Sequence, residues 1–474
     1  MRRITRLAGS KRTIVAVIVG IVLLSAGCTS VGGAPDFSGA FGQVGGGGGG
    51  GSDLPQRPRP SPQSGGDVLG TSDLHALYQA IVDVYVDPVE PPKLISGALR
   101  GAHQASLEAG LLPIESAVFD TANVRSVTNP DVAWNQWAEI YDGFMRKLVP
   151  RVNISGIGQG AAQGMLDSLG DPNSTYFKRQ AFEAQQLSDY VGVGVVLAPT
   201  GERGAPVVRE VTAGSPAETA GLKVGDVILS VAGRSTETST LGESVDAVRG
   251  AEGTQVAMSV RSPQGTTREL EVRRGVVRAN AVNADIRSGV TYIRVRALQD
   301  GTAAAVRTVL LLNTNPTRGW VIDLRGNDRG SLQEAVNVAS LFVGDQIVAI
   351  QEDKARRRAP IRGVGRPISP LLPVVVIVDE GTGGSAEVLA AALKDLGIAY
   401  VVGTKTAGKA ARTQQIPLPD GSVAQITSHH LLGPSGGQLH RQGLTPDEAV
   451  EATVQDWVSG RDVQLERAMA RVGA

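Results

Sequence analysis

The sequence predicts a multidomain α/β protein: a core of buried strands alternating with helices, preceded by an inserted small β-rich domain and an N-terminal helical segment. Three observations carry that expectation. After residue 280 apolar strand-like runs (VTYIRVR, WVIDLRG, PVVVIVD, AYVVGTKT) alternate with helical stretches near 300–313, 331–343 and 386–396. Between 190 and 274 short alternating runs are broken by glycines every eight to twelve residues, the pattern of a small β domain. Upstream, Leu74, Leu77, Ile81, Val84 and Tyr85 recur at helical spacing, as do the apolar residues of 134–148 and 154–169.

Composition sets outer limits. The 474 residues are enough for two or three domains, and 60 glycines, seven of them consecutive at 45–51, require both a linker and a turn-rich body. Lysine and arginine balance aspartate and glutamate at 46 each, which argues against a role on nucleic acid, where phosphates need a basic excess. The single cysteine excludes a disulfide framework. Five histidines (His75, His103, His429, His430, His440) in no ligand-like spacing argue against a structural zinc site, and no metal or cofactor is expected.

Residues 1–28 join a basic start (Arg2, Arg3, Arg6, Lys11, Arg12) to an apolar run, Ile14–Leu24, and to Ser25-Ala26-Gly27-Cys28. The run is short for a membrane span. The segment resembles a bacterial lipoprotein signal, with Ser25 where that box more often has Leu; the resemblance implies acylation of Cys28 after cleavage. An uncleaved N-terminal anchor is the alternative, and both place the body outside the cytoplasm and on the membrane. Residues 29–70, rich in Gly, Pro, Ser and Gln, lack the apolar content to fold and read as a spacer.

The helical region spans 71–188. Two stretches of it match at an offset of 63: Tyr78 with Tyr141, Val86 with Val149, Gly97-Ala98 with Gly160-Ala161, and Gly101 with Gly164. This reads as a weak duplication of a helical hairpin. The turn that follows, LGDPNSTYF (169–177), resembles the Leu-Asp-Pro-His-Ser-x-Tyr signature of the carboxyl-terminal processing peptidases, with Gly170 extra and Asn173 in place of His.

Within 189–274, GSPAETAGLKVGDVILSVAGRS closely matches the core of a PDZ domain, and 241–250 falls where its groove-lining helix belongs. The resemblance implies that an extended peptide adds beside a sheet edge and that backbone N–H groups capture its terminal carboxylate. The corresponding loop is Tyr190-Val191-Gly192-Val193-Gly194, where glycine lets backbone approach an anion; simple chain turning is the alternative reading of these glycines.

The core, 275–460, followed by a tail at 461–474, carries three segments that resemble the tail-specific serine peptidases of the S41 type: VIDLRGNDRGS, VVVIVDEGTGGSAEVLAAALKD and VVGTKTAGKAARTQQIPLPDGS. That family implies a layered core of the ClpP/crotonase kind, proteins or peptides with exposed C-terminal tails as substrates, and cleavage by a Ser–Lys dyad whose lysine is kept neutral by burial. Lys409 falls on the family lysine. Counting without gaps from Glu387 and Lys409, however, places the family nucleophile on Gly384, and Ser385 follows one position later. The family's Asn-Pro-Gly-Gly oxyanion turn reads Asn327-Asp328-Arg329-Gly330, and its lysine-orienting glutamine is Thr413, with Gln414 next.

Two readings follow. In one, a re-registered Ser385–Lys409–Gln414 site cleaves peptides, with backbone N–H groups at Ala386 and Gly330 holding the oxyanion. In the other, the site is degraded and the molecule binds tails without cutting; Ser385 is then only a cap for the helix that starts at Ala386. His429 and His430, adjacent on a predicted strand, point to opposite faces and do not form a triad with any acid in view.

Overall fold

The computed structural model describes residues 69–112, 129–148, 155–179, 181–182, 190–212, 214–277, 281–313, 317–328, 330–368 and 372–473. The leader, Cys28 and the spacer up to residue 68 lie outside them.

Among the described residues four helices come first: α1 (Thr71–Val84), α2 (Pro91–Glu108), α3 (Pro130–Leu148) and α4 (Ser155–Asp167). Leu74, Leu77, Tyr78 and Ile81 are the buried face of α1, as their spacing predicts. Pro91 and Pro92 open α2, where the first N–H groups lack helical partners in any case. Aromatic rings join α3 to α1, with Trp134 5.3 Å from Tyr78, and within α3 Trp137 stacks on Tyr141 at 4.8 Å.

The faint duplication has a packing basis. Helices α2 and α4 cross through Gly97 and Gly101 on one side and Gly160 and Gly164 on the other. A Cβ at Gly97 would stand 2.2 Å from the Gly164 carbonyl oxygen, and one at Gly101 would stand 1.9 Å from that of Gly160. Backbone meets backbone, so no side chain fits. Gly101→Ala is expected to lower stability by about 3 kcal/mol, the upper range for overpacking. Gly143→Ala, in α3 with nothing within 4 Å of the added carbon, should instead raise it by roughly 0.5–1 kcal/mol. Melting temperatures of the two variants check the opposite signs.

After β1 (Thr175–Phe177) comes the inserted β domain. Its entry strand β2 (Tyr190–Gly192) and exit strand β9 (Gly275–Val277) pair as a two-stranded neck. Between them lie β3 (Val195–Ala198), β4 (Val207–Val211), α5 (Pro216–Thr219), β5 (Val227–Val231), β6 (Arg234–Ser235), α6 (Leu241–Val248), β7 (Gln255–Arg261) and β8 (Thr267–Arg273). The sheet runs β3-β4-β5-β7-β8, which makes β3 an edge strand, with α6 beside it. Thr240 and Glu243 form a reciprocal capping box at the start of α6.

The core contains β10 (Val282–Arg287), β11 (Val290–Val295), α7 (Thr302–Leu312), β12 (Trp320–Asp323), α8 (Leu332–Val343), β13 (Ile347–Glu352), β14 (Arg358–Arg362) and β15 (Val374–Val378). It continues with α9 (Ser385–Asp395), β16 (Ala399–Gly403), β17 (Ala411–Pro417), β18 (Val423–Leu432), β19 (Glu448–Ala449), α10 (Val454–Val458) and α11 (Val463–Gly473). One sheet is ordered β10-β11-β12-β15-β16-β19, parallel from β11 onward. The other is antiparallel, β1-β18-β13-β14 with β17 also on β18.

Helices α8 and α9 pack between the two sheets, and the consecutive residues Ala386–Leu393 are all buried. Such all-round apolarity is what an interlayer helix requires. The segment read as a C-terminal tail supplies α11, whose Ala468 and Val472 cover the outer face of the parallel sheet. The N-terminal helices cover the antiparallel sheet through Tyr176, Leu418, Ala424 and Ile426. The layered α/β core, the inserted β domain and the helical segment are therefore those the sequence predicts.

Candidate active site

Two turns at the carboxyl ends of parallel strands meet here. The first, after β12, runs from Leu324; the second, after β15, starts at Asp379 and ends at Gly384. Asp379 is buried and accepts N–H groups from Gly326 at 2.7 Å and Gly381 at 3.1 Å, one from each turn. Gly383 N–H donates to the Asn327 carbonyl at 2.9 Å. The two turns are thus fastened to each other before any reacting group is considered.

Gly384 sits at the strand-to-helix junction with φ 58° and ψ −120°, a backbone conformation that costs an ordinary residue about 1–3 kcal/mol. It is the geometry of a nucleophile elbow, in which a side chain is held above the turn at the head of a helix. A Cβ built there would meet nothing nearer than 4.0 Å, its neighbours being the backbone oxygens of Asp328 and Lys409. The elbow is formed, and the residue in it has no side chain.

Behind the elbow is Glu387. Its carboxylate is fully buried and accepts from Thr406 Oγ1 at 2.5 Å, Gly408 N–H at 2.6 Å, Lys409 N–H at 2.7 Å and Gly384 N–H at 2.9 Å. One side chain therefore ties the elbow to the lysine loop. Burial pushes its carboxyl above the usual carboxylate range, against the pull of those four donors.

The residues singled out in the sequence fall as follows. Ser385 opens α9 and its hydroxyl donates to the Gly330 carbonyl at 3.2 Å. Lys409 stands in the loop between β16 and β17, but its side chain is 41% exposed and its Nζ lies 3.9 Å from Asp328 Oδ2; the burial expected of a lysine base is not present. Among the described residues no hydrogen bond joins Ser385 to Lys409. Gln414 is exposed on β17 opposite Ile426. Ala386 N–H donates to the Gly383 carbonyl at 3.2 Å. Gly330, with φ 121°, lies so close to β11's continuation that a Cβ would come within 2.2 Å of the Leu298 oxygen.

In the β domain, Val191 and Gly192 belong to the neck, opposite Val276 and Gly275. Val193 and Gly194 form the short link into the edge strand. Gly194 has φ 87°, and a Cβ on it would strike Ser215 at 2.3 Å. Its carbonyl accepts Thr212 N–H at 2.9 Å, and that of Val193 accepts Ala217 N–H at 2.8 Å. The loop is fixed by its carbonyls.

Sequence reasoning missed the ionic seam joining the β domain to the core. Arg209 of β4 reaches Asp379 at 3.0 Å, and Glu210 pairs with Arg294 at 3.2 Å and with Arg296. Arg294 continues to Asp323 at 3.0 Å, and Asp323 to Arg325 at 2.6 Å. These groups line a cavity of about 890 Å³ together with Trp457, Asp462 and Leu465. A signal was present: Asp323 ends an otherwise apolar strand and Asp379 directly follows another, places where a charge needs a purpose.

A β domain with an open edge strand, docked on an α/β core that carries an elbow, a turn opposite it and a lysine loop, defines a peptide-binding module on a peptidase scaffold. Residues 289–450 match the model of peptidase family S41, and residues 207–274 match that of a PDZ domain. The chain is 32% identical over 370 residues, 74% of each chain, to the carboxy-terminal processing protease CtpB of Bacillus subtilis. It is 27% identical over 348 residues to a probable CtpA-like serine protease of Staphylococcus aureus, covering 72% of this chain and 70% of that one. A solved photosystem II D1 C-terminal processing protease shares the fold, with a TM-score of 0.51 at 23% identity over 80% of this chain and 93% of the other. The chain belongs to the S41 family of C-terminal processing peptidases and carries the family's PDZ domain.

Proposed function

We propose that this chain is an envelope-anchored receptor for peptide tails, in which the PDZ domain captures an exposed C-terminus and the S41 core does not cleave it. The observation that carries this reading is the empty elbow at Gly384, with the Ser385 hydroxyl turned to the Gly330 carbonyl and the Lys409 ammonium beside Asp328. Edge strand β3, helix α6 and the Val193-Gly194 link supply the parts for strand addition and carboxylate capture. The lipoprotein-like leader ending at Cys28 and the Gly-rich spacer support placement on the outer face of a membrane.

A second reading keeps one specific support. Gly383 lies close to the Lys409 side chain, since a Cβ on it would come within 3.4 Å of Lys409 Cδ. With glycine at 383 and 384, the turn has the freedom to bring Ser385 to Lys409, with Gln414 as orienting group and Ala386 and Gly330 as donors to the oxyanion.

Incubation of the purified chain with an unstructured protein separates the two. The receptor reading expects binding that weakens about tenfold or more when the tail is amidated, and no cleavage products. Products that vanish in both Ser385→Ala and Lys409→Ala overturn it in favour of the peptidase. In cells, a fatty-acid label should be incorporated into the chain and lost in Cys28→Ala.

A further inference from the structure

Behind the lysine loop, segments far apart in sequence converge: the residues after α1, the turn after α4, strand β18 and the loop that follows it. Asp87, His430 and His440 offer there a carboxylate oxygen and two ring nitrogens that all lie within 4.8 Å of one another. Both histidines are buried, with side chains 6% and 1% exposed, and their rings stack 4.9 Å apart.

His430 Nε2 stands 3.2 Å from Asp87 Oδ2, and His440 Nε2 stands 3.2 Å from Asp171 Oδ1. His430 Nε2 and Asp87 Oδ2 share a hydrogen bond at this distance, and a tetrahedral ion bound at ~2.0–2.2 Å, which holds its ligand atoms about 3.3 Å apart, could take its place with little movement of either group. The second contact is off the line of a hydrogen bond: His440 Nε2 is buried without a hydrogen-bond partner among the described residues, and so is His430 Nδ1. Buried ring nitrogens left unpaired are costly and uncommon.

We propose that Asp87, His430 and His440 bind one divalent first-row transition ion of the zinc class, with Asp171, 3.2 Å from His440 Nε2, as a second carboxylate at the site. Two imidazoles with carboxylates suit such an ion better than magnesium or calcium, which take oxygen ligands. Orienting partners are in place around the ligands. Arg356 holds Asp87 Oδ1 at 3.4 Å, leaving Oδ2 toward His430, and Asp171 Oδ2 accepts the Thr427 hydroxyl at 2.6 Å and that of Ser174. Arg441, 4.0 Å from Asp87, is engaged with the Tyr85 hydroxyl at 2.7 Å; the two guanidiniums temper the site's negative potential and its affinity.

The position gives the ion a task. Asn173 Nδ2 lies 3.4 Å from His440 Nδ1 and donates to the Lys409 carbonyl at 3.1 Å. The N–H of Arg441 donates to the Gly408 carbonyl at 2.7 Å. An ion here fastens the N-terminal helical segment to β18 and stiffens the support of Lys409. Spacing in the sequence argues against zinc because the ligands come together only in the folded chain.

The test is titration of the full chain, stripped with chelator, by Co²⁺ followed in the visible spectrum and by Zn²⁺ followed by calorimetry. One ion per chain is expected, with d–d bands that Zn²⁺ displaces and a melting temperature that rises with Zn²⁺. Asp87→Asn and His440→Gln should each weaken binding by at least about tenfold, whereas His75→Gln and His429→Gln should leave it unchanged. Metal-free melting of each variant separates loss of binding from loss of fold. Should His440→Gln not fold, Asp87→Asn, at a half-buried position, decides alone. Substoichiometric uptake by the wild type, or unchanged affinity in Asp87→Asn, overturns the proposal.

Discussion

Gly384→Ser is expected to create, or raise by about 10²–10⁴-fold, the cleavage of unstructured protein, the range that a positioned general base contributes. The reason is geometric. The elbow already has φ 58° and ψ −120°, and the space above it is open to 4.0 Å, bounded by backbone of Asp328 and Lys409. A hydroxymethyl group there needs no repacking, only the backbone strain of a non-glycine residue, about 1–3 kcal/mol, which should appear as a lowered melting temperature. Because Lys409 lies beside Asp328, the gain should grow in Gly384→Ser with Asp328→Ala and disappear when Lys409→Ala is added. Unchanged cleavage in Gly384→Ser would contradict the assignment of residue 384 as the nucleophile position, since the variant restores the one group the turn lacks.

Asp323→Ala should cost about 3–5 kcal/mol, the effect of removing one partner from a buried ion pair. Asp323 is fully buried, and its carboxylate takes Arg294 at 3.0 Å, Arg325 at 2.6 Å and the Tyr292 hydroxyl at 2.7 Å. Burial alone would raise its pKa; the two guanidiniums reverse this and hold it well below the usual carboxylate range. Without Asp323 they would face each other with only Glu210 and Asp462 as counter-charges. The sign of the pH dependence follows. A depressed folded-state value means that the contribution is complete above the ordinary carboxylate value, about 4, and is lost only as pH falls below it toward the depressed one. Denaturant melts of wild type and Asp323→Asn should therefore differ by a constant amount from pH 8 to 5 and converge in stronger acid. Through Arg294 and Glu210 the same loss should loosen the PDZ domain from the core, read as faster proteolysis within 207–277.

Much of the architecture was legible because it obeys local rules. VVVIV reads as a buried parallel strand, and all five of its residues are buried. QVAMSVR alternates, and its burial alternates with it. The C-terminal helix was read as a tail because α11 is short and nothing in the neighbouring sequence indicates the sheet that its apolar stripe, Ala468 and Val472 with Leu465 and Met469 beside them, covers. Strand β14, Arg-Ala-Pro-Ile-Arg, carries little strand signal and is held by its pairing with β13. At the site, the motif count and the strand-to-helix turn coincide at Gly384, but a count along the sequence conveys neither φ nor the direction of a hydroxyl. The roles of Glu387, Asp379 and Arg209 arise from contacts across 19 to 170 residues of separation, which no local pattern encodes. The same holds for the histidine pair behind Lys409.

The Glu387 clamp bears on how such a molecule can change in evolution. Its four donors come from the elbow, the lysine loop and Thr406, and none of the groups that would touch a substrate takes part in holding the carboxylate except through backbone. Shape and reactivity are therefore separable. A side chain on the reacting surface can be exchanged while the scaffold behind it keeps its form, and at residue 384 the exchange to glycine also relieves a strained backbone. Loss of a side chain at such a place would meet no folding barrier, whereas its return would have to be matched at Asp328 and Lys409, which now lie beside each other.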